Sequence, residues 1–385
     1  MKKKILVWET LSTVSGGQKM TLTIMDILRD TYDFCCLIPG EGRMSEELDK
    51  RGIPYIIIGD QSLPTGVKGK SVIFRYAAMS LRCIRRSLKA IRQYKPDILY
   101  APGPAALPWS AICGTLKRKP VIWHIHHVFL DGMTGKLLNI CSKWKSVRKI
   151  IGVSAACTDQ IKNEKTHEKI AVLYNPIDVE RYRSGDAACV MPELTEKLGR
   201  VIDPLDTTVI GHIALIQRPK KQDITMRVMG NLKRQGRDVV GLFCGEVRDP
   251  EYMDELMKIA LAEGIEDDVL FLGWRDDVPN IIKCMSVNFV PSDEGFSLIA
   301  QESAAAGVPT VTIDKLGGCE CVSVSGCGEV YRADDADDAT DKVIGVIKNK
   351  EKYGRCGTEY SENWRKERYI ERIHSEFADV EKFIR

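Results

Sequence analysis

The feature that most constrains this chain is a repeated alternation of short apolar runs with longer amphipathic stretches. Apolar runs at 5–8, 34–38, 55–58, 98–100, 121–125 and 150–153 are separated by helical patterns at 18–29, 44–51, 74–94 and 105–116. Short strands separated by helices predict a parallel sheet covered on both faces, because parallel neighbours need the long crossover that a helix supplies. The stretch 177–208 breaks the pattern: Gly185, Pro192 and Pro204 stand among scattered charges, as expected of a connection. The alternation then restarts, with strands expected at 209–213, 239–244, 269–272, 287–290 and 310–313 and helices at 252–263 and 298–306. Two α/β units of similar size joined by a linker fit a length of 385 residues. The tail, 361–385, is helical in pattern.

Composition removes several classes. Hydrophobic residues at 44% and charged residues at 28% exclude wholesale disorder. The 56 Lys and Arg nearly cancel the 53 Asp and Glu, which excludes a histone-like chain. Thirteen cysteines at irregular spacings predict reduced thiols and a cytoplasmic protein. The apolar start at 5–8 is too short for a signal peptide. The longest uncharged stretch, 98–116, contains Pro102, Pro104 and Pro108 and makes a poor transmembrane helix. A soluble or peripheral protein is therefore expected, with peripheral attachment on the inner face of the membrane. No Gly-x-Gly-x-x-Gly follows the first strand, which disfavours a dinucleotide dehydrogenase.

Ligands on open parallel sheets bind beyond the carboxyl ends of the strands, so chemistry is sought in the loops there. Two sheets facing each other would make a cleft between domains. The strongest string, 291–309, follows the run 287–290. Glu294 lies in a turn, Gly295 and Phe296 lead into a helix beginning near Ser297 and Leu298, and Glu302 lies within that helix. N–H groups at the helix start and the positive end of its dipole suit a phosphate or sugar oxygen. The two carboxylates can each accept hydroxyl hydrogen bonds. After the first strand of the second half come Arg218, Lys220 and Lys221, cations that suit an anionic ligand. His124, His126 and His127 end a strand of the first half, with His124 and His126 on one face. They lack Cys, Asp or Glu at ligand spacing, and Cys319, Cys321 and Cys327 form no C-x-x-C, so no metal is expected.

Glu294-x7-Glu302 within Pro-Ser-x-x-Glu-Gly-Phe-x5-Glu-x-x-Ala-x-Gly-x-Pro resembles the retaining family 4 glycosyltransferases of the GT-B fold. Other segments agree in order: Gly16-Gly17 after the first strand, Val153-Ser154, Tyr174-Asn-Pro-Ile-Asp178, Phe271-Leu-Gly-Trp-Arg275 and Gly317-Gly-Cys-Glu320. The resemblance implies two Rossmann-like domains: an acceptor domain over 1–180 and a nucleotide-sugar domain over 181–360. It also implies that the tail packs back towards the first. It implies transfer of a hexosyl-type sugar, with retention, from a nucleotide diphosphate sugar to a glycan or lipid-linked saccharide. Glu294, His126 and Lys220 would be catalytic. The donor would be held by Gly17, Arg218, Trp274, Arg275, Gly295, Phe296, Ser297, Leu298 and Glu302, with Glu294 on the sugar and Glu302 on the ribose. The nucleotide sugar is a substrate, and neither a cofactor nor a metal is implied, since no Asp-x-Asp follows a strand of the second half. The family arginine aligns with Leu215, an apolar residue, and Arg218 is an alternative source of that cation. Leu215 also motivates a rival: a catalytically weak, glycosyltransferase-like binding subunit. A nucleotide-sugar epimerase of the same broad fold is a further rival, in which the Glu-x7-Glu string is less expected.

The charge is unevenly spread. Residues 61–150 hold 17 Lys and Arg against two acids, Asp97 and Asp131. The helical stretch 71–94 carries Arg82, Arg85 and Arg86 beside apolar residues including Phe74 and Met79. A basic amphipathic helix of this kind predicts an anionic membrane surface or an anionic acceptor, and no nucleic-acid module is recognised.

Overall fold

The computed structural model describes residues 2–14, 16–59, 70–129, 132–203 and 206–384, and for 70–75 the backbone alone. The chain forms two compact units, Met1–Asn175 with Tyr369–Arg385, and Pro176–Arg368.

The first unit is built on seven parallel strands: β1 Lys3–Trp8, β2 Tyr32–Ile38, β3 Tyr55–Ile57, β4 Ile98–Ala101, β5 Val121–Ile125, β6 Val147–Gly152 and β7 Ile170–Val172. They lie in the order β3-β2-β1-β4-β5-β6-β7. β1, β4 and β5 are buried on both faces, which is why they read as unbroken apolar runs. The last helix, Lys366–Glu381, completes this core with a stripe of Tyr369, Ile373, Phe377 and Val380 at helical spacing.

The second unit has six parallel strands: β8 Thr208–Ile213, β9 Val239–Cys244, β10 Val269–Gly273, β11 Val287–Val290, β12 Thr310–Ile313 and β13 Gly328–Tyr331. Their order is β10-β9-β8-β11-β12-β13. The chain runs outwards through β8, β9 and β10, then returns to lay β11 on the other side of β8. That reversal opens a crevice between the carboxyl ends of β8 and β11.

Two sequence expectations need correction. The stretch 177–208 holds the helices Val179–Arg183 and Met191–Leu198, with Tyr182 and Leu194 buried. Pro192 sits in the first turn of the second helix, where its missing N–H has no intrahelical partner to lose, so proline there marks a helix start. The edge strands β7 and β13 escaped the apolar-run reading because both are largely half-buried. All 13 cysteines are free.

Candidate active site

A pocket of about 520 Å³ lies in the second unit over the β8/β11 crevice, lined from both sides by residues that follow those strands. From β8 come His212 to Leu215 and then Lys220; from β11 come Ser292, Glu294 and the start of the helix Leu298–Ala305, including Phe296, Ser297, Leu298 and Glu302. Ser297 caps that helix, its hydroxyl accepting from the Ala300 N–H. The first turn therefore presents the positive end of its dipole at the pocket.

Lys220 Nζ donates to Glu294 Oε1 at 2.5 Å, and Ser292 Oγ donates to the same oxygen at 2.9 Å. A fixed cation and a fixed carboxylate thus share one wall. The turn holding Glu294 is pinned by backbone: the Gly317 N–H donates to the Glu294 carbonyl at 2.9 Å. A Cβ on Gly317 would stand 2.0 Å from the Gly295 carbonyl oxygen, so only glycine allows this approach. That is a physical reason for the Gly317-Gly318 pair.

Glu302 accepts from the Tyr182 hydroxyl at 2.6 Å. Burial, followed by the Glu302 charge, holds the Tyr182 phenol well above its usual range, so it stays a donor. Trp274 is 63% exposed at the pocket edge. Arg275 is held by Glu193 and Asp277, each at 2.8 Å, which keep it charged and fix its direction. His212, at the floor, hydrogen-bonds Thr225 through Nδ1 at 2.7 Å; burial, aided by Lys220, pushes its pKa down to about 3.

Arg218 stands apart from the other candidates of the second unit. It lies outside the pocket lining and pairs through two nitrogens with Glu255 at 2.6 Å, over the Tyr252 ring. The cause is local: the chain leaving β8 continues to a bridge between Ile216 and Val247, which carries Arg218 over the helix Pro250–Glu263. In this geometry Arg218 does not replace a cation at Leu215, whose apolar side chain lines the pocket.

The remaining candidates lie in the first unit. Gly17 begins the helix Gly16–Leu28 after β1, with open space around its Cα. His124 is fully buried, its Nδ1 2.7 Å from the Tyr100 hydroxyl. His126 follows β5 with its ring centroid 4.2 Å from that of His124 and its Nε2 buried without a partner among the described residues. Burial, reinforced by His127, brings the His126 pKa down to about 3, so its imidazole is neutral. Among the described residues no group of His, Cys, Asp or Glu is placed to hold a metal.

Sequence reasoning missed Tyr182, His212, Arg181 and Ser292 as pocket residues. Ser292 stands inside the quoted motif and could have been read. Tyr182 and Arg181 belong to the segment taken for a connection.

Two parallel Rossmann-like sheets of seven and six strands, the second with a pocket over its crevice, make the architecture of a GT-B glycosyltransferase. The model of Glycosyltransferase Family 4 matches residues 42–181, and that of Glycosyl transferases group 1 matches residues 195–363. The chain belongs to the group 1, family 4 glycosyltransferases, a retaining family that depends on nucleotide sugars. It is similar to an Escherichia coli UDP-Gal:alpha-D-GlcNAc-diphosphoundecaprenol alpha-1,3-galactosyltransferase, 22% identical over 83% of this chain and 81% of that enzyme. A Bacillus anthracis N-acetyl-alpha-D-glucosaminyl L-malate synthase is 23% identical over 80% of each. Among solved structures, Anabaena HepE in complex with UDP superposes with a TM-score of 0.76 at 18% identity, covering 98% of this chain and 99% of that one.

Proposed function

We propose that the chain transfers a hexosyl unit from a uridine diphosphate sugar to a glycan or lipid-linked saccharide, with retention of configuration. The observation that carries this reading is the junction of Lys220 with Glu294 beside the Leu298–Ala305 helix start and Glu302, all in one pocket. The uridine is supported by the UDP-Gal donor of the E. coli relative and by the UDP and UDP-glucose complexes of HepE. In this reading Glu302, held by Tyr182, accepts the ribose hydroxyls, and Trp274 and Arg275 border the base. The backbone from Gly295 to Leu298 takes the diphosphate, and Lys220 neutralises the charge that develops as it leaves. Glu294 orients the transferred sugar, and the neutral imidazole of His126, with its unpartnered Nε2, suits a hydrogen bond to a sugar hydroxyl. Gly17 leaves room for the donor. Attack on the face the diphosphate leaves lets a phosphate oxygen take the acceptor proton, so no protein base is required. A second reading, a weakly active binding subunit, is favoured by one observation, Leu215 in the position of the family arginine.

The two carboxylates separate by what they touch. Glu302→Ala is expected to weaken uridine diphosphate binding about tenfold to a hundredfold, because the ribose is present in the free nucleotide. Glu294→Ala is expected to retain that affinity and lose turnover instead. Calorimetric titration beside steady-state kinetics reads both; unchanged nucleotide affinity in Glu302→Ala would overturn the assignment.

The helix Lys70–Tyr94 supports peripheral attachment to an anionic bilayer. Its inward face runs through Ser80, Cys83, Ser87 and Ala90, with Trp109 and Trp8 donating to Ser80 and Ser87. Arg82, Arg85 and Lys89 stand exposed away from that face beside Leu81, which is 61% exposed, while Arg86, also exposed, donates to the Ile58 carbonyl at 2.8 Å. None of them has a carboxylate partner among the described residues. The side chain of Phe74 lies outside the described residues, and no helix of the described residues is long and apolar enough to cross a membrane. Each cation near an anionic surface contributes about 1 kcal/mol, so reversing Arg82, Arg85 and Arg86 to Glu is expected to release the protein from phosphatidylglycerol vesicles at low salt. Co-sedimentation checks this, and wild type ignoring such vesicles would end the peripheral reading.

A further inference from the structure

At the amino ends of β5 and β6, the opposite edge of the sheet from His126, the first unit holds a second concavity of about 600 Å³. Its rim carries Arg118 and Lys119 from the turn before β5, and Lys143, Lys145 and Arg148 from the segment around the start of β6. Trp144 and Phe383 supply its aromatic wall, with the Arg148 guanidinium 4.1 Å above the Phe383 ring. No acid lines it. Of the acids near the end of the last helix, Glu376 and Asp379 are taken by Lys149, and Glu381 by Lys3 and Tyr32. Arg118, Lys119, Lys143 and Lys145 have no carboxylate partner among the described residues.

Helix ends attract cations, and two helices, Ala106–Lys117 and Gly132–Ser142, end here. That pull does not account for this cluster. The carbonyls of Ser142 and Trp144 are already met by Lys169, whose Nζ lies 3.1 and 3.3 Å away. The end of the other helix is closed by backbone, with the Lys119 N–H donating to Gly114 at 2.9 Å. Gly114 makes this closure possible, since a Cβ there would meet Val121 at 2.4 Å and the Lys119 carbonyl oxygen at 2.9 Å. Arg118 itself occupies the left-handed region, φ 53°, where glycine is the residue that fits without strain. A long cation is kept where the backbone favours none.

We propose that this basic pocket is a second anion site, which takes the phosphate or diphosphate group of a ligand whose remaining body lies on Trp144. Arginine forks and lysine point charges around a concavity suit phosphate oxygens, and the volume exceeds that of a phosphate alone. The site is independent of the donor pocket, whose lining comes wholly from the second unit. The phosphate can belong to a soluble ester or to a lipid headgroup, and the two arms of the test separate these.

In the first arm inorganic pyrophosphate is titrated into the full chain at about 50 mM salt, where charges are weakly screened. Wild type is compared with Lys143→Glu/Lys145→Glu, with Arg118→Gly and with Lys220→Ala. The double reversal is expected to remove one class of binding, weakening it tenfold or more. Arg118→Gly, which the φ of 53° accommodates, is expected to weaken it several-fold with an unchanged melting temperature. Lys220→Ala is expected to leave this class intact, so failure of the donor reading is seen separately. In the second arm the Arg82, Arg85 and Arg86 reversal serves as background, and its residual binding to phosphatidylglycerol vesicles is measured with and without Lys143→Glu/Lys145→Glu. Loss in the first arm alone supports a soluble phosphate ester. Loss of the residual vesicle binding supports a headgroup. If neither arm responds to the lysine reversal, the site does not exist.

Discussion

Replacing Lys220 by alanine is expected to lower kcat by about a hundredfold to a thousandfold, the range seen when one preorganised group facing developing transition-state charge is removed. In the proposed transfer the sugar passes to the acceptor and the nucleoside diphosphate is the leaving group, and among the pocket residues Lys220 is the cation that meets the wall of Glu294 and Ser292. Its 2.5 Å contact with Glu294 defines the resting state. In the proposed reaction a diphosphate would give Lys220 a second anion to pair with and release Glu294 for the sugar hydroxyls. The alanine variant removes charge stabilisation and leaves Glu294 without its cation, so turnover falls more than nucleotide affinity does. Lys220→Arg keeps the charge but not its point geometry and is expected to recover only part of the loss. Arg218→Ala is the contrasting case, because that side chain is spent on Glu255 outside the pocket. Leu215→Arg adds a cation to the lining and is expected to raise turnover if the pocket is short of charge. Rates with a panel of uridine diphosphate sugars, with product affinity by calorimetry, measure all four. A Lys220→Ala enzyme with unimpaired kcat would remove the catalytic role and strengthen the binding-subunit reading.

What was legible in the sequence follows from how local each signal is. The Glu294 to Glu302 string is one contiguous turn and helix start, so the spacing of its carboxylates could be read directly. The βα alternation was legible because buried parallel strands such as β1 and β5 are apolar on both faces. Long-range pairing is harder. Lys220 and Glu294 are 74 residues apart and meet because β8 and β11 are neighbours in the sheet, a strand order that no run of residues announces. Arg218 and Lys220 lie two positions apart in one tight turn, yet face different ways; the bridge from Ile216 to Val247 decides which one reaches the pocket. Tyr182 was hidden for the opposite reason. Its segment has the prolines and glycines of a connection, but a short helix there delivers the phenol to Glu302, 120 residues on. The edge strands β7 and β13 were hidden by partial burial, which removes the apolar signature on which a strand is recognised.

The largest expected loss of stability is at Phe377, although it stands only eight residues from the last residue of the sequence. Its ring is fully buried in the first unit, 5.3 Å from the Tyr100 centroid and 6.1 Å from that of Tyr32. Tyr100 sits on β4 and Tyr32 on β2, so one side chain of the terminal helix packs over two strands on either side of β1. Removing a buried phenyl ring forfeits its transfer free energy and leaves a cavity that a stiff parallel sheet closes poorly, about 3–5 kcal/mol in sum. The polar frame around the helix cannot make this good. Tyr32 donates to Glu381 at 2.7 Å, Lys3 pairs with the same carboxylate, and Arg372 donates to the Val172 carbonyl at 2.6 Å, but these contacts lie in part-exposed surroundings. Ser375, exposed on the same helix, is the control, and Ser375→Ala is expected to stay within about 0.5 kcal/mol of wild type. Because the chain has two units, a single melting curve mixes their transitions, so urea unfolding is best followed by hydrogen exchange in each sheet. Phe377→Ala is expected to advance exchange throughout β1, β2 and β4 while leaving β8 and β11 protected. Protection in the first sheet equal to that of wild type would mean that the terminal helix does not belong to this core.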